Sequence, residues 1–217
     1  MRMLLSFECP GNQLKRYDRY NDYYFVIPEL LKDPVYMRFM KGTTKYIVLD
    51  NGTYESGVPD ADGLLGLARE IKAKEVVLPD FLFKTEPTRE ATREFINSLS
   101  DEEKDEFRWM VVPQANTVSE WISAYNEFMD EFGYLAHSIG VPKCPGKPLY
   151  FRTVAVQTLH ERGQLANKPH HLLGMNDPSE ILYMRFARSM DTAWPFRGKK
   201  EHKHIQRRIN LLRELAR

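Results

Sequence analysis

The chain has 217 residues, 42% hydrophobic and 12% aromatic, with 31 Lys/Arg against 30 Asp/Glu and a formal net charge of +1. That supplies a proper core for one large domain or two small ones, and the near balance of charge excludes neither a nucleic-acid nor a small-molecule partner. Two cysteines, Cys9 and Cys144, exclude a disulfide framework, and no C-x-x-C spacing suggests a thiolate metal site.

The start, "MRMLLSFECPGNQLKRYDRY", is apolar for only a few residues before charges appear, too short for a signal core or a membrane span. The expectation is a soluble, reduced, cytoplasmic protein without a membrane partner. The histidine pairs at 170–171 and 202–204 lack cysteine or acidic companions at metal spacing, so no metal and no cofactor are expected.

In chain order, "MLLSF" (3–7) reads as a strand, followed by an aromatic stretch with helical pieces over 17–40. "KYIVLD" (45–50) precedes a helix over 59–73, and "EVVLPD" (75–80) precedes one over 88–100. "RWMVVPQ" (108–114) leads to a helix over 117–132, where Thr117 and Glu120 form a capping box. "YLAHSIG" (134–140) is followed by a Pro/Gly/Lys-rich loop at 141–148 and a helix over 151–165. "HHLLGM" (170–175) runs into a helix over 176–188, with Asp177 as N-cap, Pro178 at N1 and Glu180 at N3. "SMDTAW" (189–194) precedes a basic helix over 204–217.

Seven strands, nearly all with a helix after them, predict a parallel α/β sheet in one domain, either doubly wound or closed as a (β/α)8 barrel. Both architectures place ligands beyond the C-terminal strand ends. Those ends carry Asp50-Asn51-Gly52, Asp80, Gln114, Gly140, Gly174 and Asp191. Three of them are acids at or near the ends of apolar runs, where a charge is costly unless it is paired or used. Carboxylates and a carboxamide read the donor and acceptor edge of a flat ligand, glycines admit close backbone approach, and Tyr54 offers a stacking ring. No phosphate loop and no G-x-S-x-G elbow is present, which leaves carboxylate chemistry of the nucleophile and acid/base kind. Each aspartate could instead cap a following turn.

"VLDNGTYE" is similar to the D-S-G-G-[FY]-Q motif of the tRNA-guanine transglycosylases, and "VVPQA" resembles their V-Q-G-G strand end. "HLLGMNDPSEIL" resembles their L-M-G-[VI]-G-x-P-x-D-[IL], and "MDTAWPFR" their F-D-C-V-x-P-T-R. The matches run in family order over 45–198, with 1–44 weakly matched and 199–217 a basic C-terminal helix. The resemblance implies a (β/α)8 barrel, whole or trimmed, and a retaining base exchange at C1′ of a nucleotide. Asp191 would be the nucleophile and Asp50 the general acid/base. Asp80, Gln114, Gly140, Tyr54, Asn51, Gly174 and Arg197 would bind the substrate.

Thr53 replaces the second glycine of the first motif, and Ala115 and Asn116 replace the glycines after Gln114. The zinc-binding segment of the tRNA enzymes is missing. These departures point to the compact zinc-free DNA-guanine transglycosylases of phages and bacteria, which insert 7-deazaguanines such as preQ0 into DNA. Action on tRNA, a non-catalytic nucleic-acid-binding subunit and an N-glycoside hydrolase are the alternatives. The expected partners are DNA and a free 7-deazaguanine base, in the host cytoplasm if the chain is phage-encoded. The run "RGKKEHKHIQRR" (197–208) is either a solvated face or a phosphate track carried by Lys199, Lys200, Lys203, Arg207 and Arg208. Lys15, Arg16 and Arg19 with Tyr17, Tyr20, Tyr23 and Tyr24 make a second basic and aromatic surface, or else the tyrosines are core.

Overall fold

A computed structural model of the protein describes residues 2–143, 151–198 and 201–217. Lys199, Lys200 and Cys144 lie outside the described residues. Eight strands form one parallel sheet: β1 (Leu4–Phe7), β2 (Tyr24–Val26), β3 (Ile47–Leu49), β4 (Glu75–Val77), β5 (Arg108–Val111), β6 (Ala136–Val141), β7 (His170–Leu172) and β8 (Ser189–Thr192). Their order, β1-β8-β7-β6-β5-β4-β3-β2, is that of a (β/α)8 barrel, with helices following the strands on the outside. Among the described residues no helix is long and apolar enough to cross a membrane.

The strands are short, and nearly all their residues are buried, because a barrel strand has a packed surface on both sides. Side chains alternate between two cores. Tyr23, Phe25, Val48, Val77, Met110 and Val112 fill the barrel, while Leu5, Phe7, Leu49, Val76, Trp109 and Met190 meet the helices. The floor of the barrel is polar. Glu75, wholly buried, accepts hydrogen bonds from Tyr46 (2.9 Å), Arg188 (3.1 Å) and Ser138. Burial alone would raise its pKa, but these partners outweigh it and hold the carboxyl below its ordinary value.

Seven neighbouring strand pairs form backbone ladders; the seam between β1 and β2 is closed differently. There the Ser6 hydroxyl accepts from the Phe25 N–H (2.9 Å), the Asp22 carboxylate from Leu5 N–H (3.0 Å) and the Asn21 carbonyl from Phe7 N–H. One backbone bond, Asp22 N–H to the Leu5 carbonyl, completes the seam.

Strand β2 lies inside the aromatic stretch 17–40, where helical pieces and no strand were expected. It is three residues long and flanked by 3-10 turns at Asp18–Tyr20 and Pro28–Lys32, so no periodicity marks it. The helix expected over 176–188 shrinks to one turn, Glu180–Tyr183. Asp177 does not cap it; its carboxylate instead accepts from the N–H and hydroxyl of Ser179 (both 2.8 Å), and Met184 ends the turn at φ −113°. The helix after β5, Val118–Phe132, has the expected capping box from Thr117 and Glu120.

Candidate active site at the C-terminal face

Asp191 lies in β8 with its side chain turned into the barrel, two residues beyond inward-facing Ser189. It is 3% exposed, and its Oδ1 accepts from the Gly174 N–H (3.0 Å) and from Nε2 of His171 (3.0 Å). Gly174 takes φ +58°, a backbone that favours glycine, and so turns its N–H toward the carboxylate. His171 stacks on Phe25 at 5.0 Å, with Nδ1 2.9 Å from the Ser189 hydroxyl. Burial, then Arg188 and Arg152, push its pKa down to about 3. The contact with Asp191 therefore has the distance of an ion pair but is a neutral imidazole N–H donating to a carboxylate.

Glu8 follows β1 directly, and its N–H to the Thr192 carbonyl (3.0 Å) extends the β1–β8 pairing one step. Ser6 is paired with Asp191 across that ladder, so Glu8 rises on the same side immediately above it. The Glu8 carboxyl hydrogen-bonds Asp191. Burial and the Asp191 charge push the Glu8 pKa up to about 9, against the opposing charge of Arg197. Burial raises the Asp191 pKa above its ordinary value, and the bonds from Glu8 and Gly174 and the charge of Arg152 only oppose that rise. Both carboxyls of the pair are shifted upward, and the two N–H donors fall on Asp191, which favours the charge on Asp191 and the proton on Glu8.

Across the barrel mouth, Asp50 ends β3, with its N–H on the Val26 carbonyl (2.8 Å). Its carboxylate accepts one weak bond, from Gly52 N–H at 3.3 Å. Burial, then the charges of Asp80, Glu55 and Asp191, raise its pKa well above that of an ordinary aspartate. Asp80 follows β4 and is clamped at both oxygens, by the amides of Asn51 (2.7 Å) and Gln114 (2.5 Å). Burial lifts its pKa to about 6 against those two bonds. Asn51 also ties the Leu78 carbonyl and the Thr53 N–H, and Gln114 accepts from the Phe83 N–H (3.1 Å). These two carboxamides thus fix Asp80 as well as facing the mouth.

The remaining sequence candidates fall into two sets. Gly140 faces the barrel, where an added Cβ would lie 2.8 Å from Val112 and 3.0 Å from Leu173, so glycine is needed for packing there. Tyr54 is 78% exposed on the turn after Asp50, and exposed Arg197 reaches the site through its charge on Glu8. On the C-terminal helix, His202–Leu215, Arg208 is committed to the fold: it lies 4.7 Å over the Trp194 ring and bonds the carbonyls of Trp194 and Arg197. Lys203 pairs with Glu201, while Arg207 is exposed. Tyr17, Tyr23 and Tyr24 are buried, which removes them from any stacking surface.

Four contributors were missed at the sequence level. Glu8 obeyed the same rule as the three aspartates, an acid just after an apolar strand. His171 was weighed only as a metal ligand. The buried pair Arg152–Glu180, in which Arg152 also donates to the Leu173 carbonyl (2.7 Å), braces the β6 and β7 ends beneath Asp191. Glu180 was read as a helix acid. Lys143, after β6, is half-buried, and its pKa is lowered by burial and by Arg197 and Arg152. Cys9 is no rival nucleophile, since burial pushes its thiol up to about 12.

A scan of protein-family models and a search of curated proteins found no match to this chain.

Proposed function

We propose that the protein is a base-exchange glycosyltransferase that replaces guanine in DNA with a 7-deazaguanine through a covalent aspartyl intermediate. The observation that carries this reading is the meeting of Asp191, Glu8, Asp50 and Asp80 at the barrel mouth in unlike surroundings, with Asp191 Oδ1 taking two N–H bonds and Asp50 one weak one. Asp191 accepts from two N–H donors that favour its charge against the upward push of burial, while Asp50 and Glu8, with fewer such donors, are raised well above ordinary carboxyls. Environments that push neighbouring acids apart in pKa assign a nucleophile and a proton donor.

The Asp191 carboxylate attacks C1′ of the target nucleotide, and the C1′–N9 bond breaks. Guanine leaves with the proton of Asp50, which becomes a carboxylate. The incoming deazaguanine then gives its N9 proton to Asp50 and attacks C1′, releasing Asp191. His171 and Gly174 orient the nucleophile, and Asp80 with Gln114 and Asn51 presents acceptors and donors to the base edge. Tyr54 stacks on the base, and Arg197 with Lys143 sets positive charge at the rim for a flanking phosphate. The target base must leave the stack, so a flipped or single-stranded nucleotide is the substrate.

The test incubates the protein with guanine-containing DNA and labelled preQ0, followed by nucleoside mass spectrometry. Incorporation is expected, with loss of at least about 10³-fold in Asp191→Asn. Undiminished incorporation by that variant removes the assigned nucleophile, and release of free guanine without insertion makes the protein a hydrolase.

A further inference from the structure

A groove of about 700 Å³ runs along the outer wall of the barrel between the segment Gly11–Asp18 and the helix Pro34–Gly42. Leu14 and Phe39 lie along it, and Lys15, Arg38 and Lys45 bring three positive charges against one negative, Asp18. Lys45 is already bound to Asp18 (2.7 Å). Lys15 and Arg38 are exposed, on different elements, and make no ion pair or hydrogen bond among the described residues. Their neighbours differ: Lys41 pairs with Glu70 and Lys32 with Glu29. Two cations left unpaired along one channel make a site of net positive potential.

The groove is joined to the candidate active site at its upper end. Gly11, which lines it, stands three residues after Glu8 on the segment that leaves β1. Arg197 acts on Glu8 as well. The site thus has one cation acting on Glu8 at the rim, Arg197, and the groove two unpaired ones, Arg38 and Lys15.

We propose that this groove holds the phosphodiester backbone of single-stranded DNA on one side of the nucleotide whose base is exchanged. This rests on the base-exchange reading and adds to it a polymer track on the wall of the barrel. Lys15 and Arg38 bind phosphates, and the half-buried Phe39 packs against the sugar–base edge of the strand.

The experiment measures anisotropy of a labelled oligothymidylate across a salt series, with oligouridylate in parallel. Thymidylate carries no guanine, so binding is read independently of base exchange. Lys15→Glu/Arg38→Glu is expected to bind at least about ten-fold more weakly, with the log–log salt slope reduced by about 1.4 for two lost phosphate contacts. Gly42→Trp tests the same track without changing charge: an added Cβ there meets nothing within 4 Å, so the ring enters the groove. It too is expected to weaken binding. Arg162→Glu, beyond the helix after β6, controls for bulk charge and is expected to leave affinity unchanged. Unchanged affinity in both groove variants, an equal loss in Arg162→Glu, or binding of oligouridylate alone overturns the proposal. Wild-type binding through the groove without preQ0 incorporation instead sinks the base-exchange chemistry and leaves the groove standing.

Discussion

Glu8 and Asp191, 183 positions apart in sequence, meet side by side, one just past the end of β1 and the other on β8. With one proton between them they behave as a unit, and their titration belongs to the pair.

Below about pH 4.5 Glu8 is protonated whether the chain is folded or not; between there and about pH 9 only the folded chain keeps the proton. Unfolding then releases it, so this group's contribution to stability falls as pH rises through that window. Asp50 and Asp80 are shifted the same way and steepen the decline. Glu8→Gln, a neutral donor of similar shape, is expected to flatten the alkaline side of the Tm–pH curve. Thermal melts from pH 5 to 9 check it, at about 2–4 °C per kcal/mol for a domain of this size. Parallel curves for the two proteins refute a proton held on Glu8.

Asp50→Asn separates stability from chemistry. It removes a half-buried carboxyl whose ionised form is disfavoured, so the variant is expected to be no less stable than wild type at pH 8. Base exchange is expected to drop by about 10²–10⁴-fold, as for loss of a general acid. A variant that is both unstable and fully active contradicts the assignment on both counts.

The pair Arg152–Glu180 is buried at both ends. Glu180→Gln leaves the guanidinium without its counter-charge and is expected to cost about 3–5 kcal/mol in urea melts. Arg152→Met/Glu180→Met is expected to recover part of that loss in stability. The double variant still lacks the Arg152 bond to Leu173 and its charge below Asp191, so its activity stays low.

Gly174→Ala isolates a backbone effect, because the added Cβ meets nothing within 4 Å while φ stays at +58°. The expected cost is about 1 kcal/mol, with a larger fall in kcat as the N–H donor to Asp191 shifts. A stability equal to wild type with unchanged kcat excludes a role for this turn.

The parallel α/β sheet was legible because seven strands announce themselves as apolar runs followed by helical stripes. Its closure into a barrel entered only with the family resemblance, and the mouth was legible because Asp50, Asp80 and Asp191 interrupt those runs. Strand β2 was not, since three residues among 3-10 turns carry no period. Glu8 stood in plain view after "MLLSF", but its partner is at the far end of the chain, and only the β1–β8 register brings them together. His171 shows a further limit. Nothing local distinguishes a histidine inside a barrel from one outside it; the parity of β7 decides, and it points His171 at Asp191 while sending His170 to Tyr125 (2.9 Å).

The side-chain seam between β1 and β2 has a consequence for assembly. Along the unrolled sheet, Asp191 sits one strand from one edge and Asp50 one strand from the other, so the two meet only when the edges are brought round and fastened through Ser6, Asn21 and Asp22. A partly built barrel can hold Glu8 against Asp191, but it has no second acid opposite them. The base-exchange reading therefore predicts that the opposed acids meet only where this seam is closed, and that weakening Ser6, Asn21 and Asp22 lowers activity with all four carboxyls left in the chain.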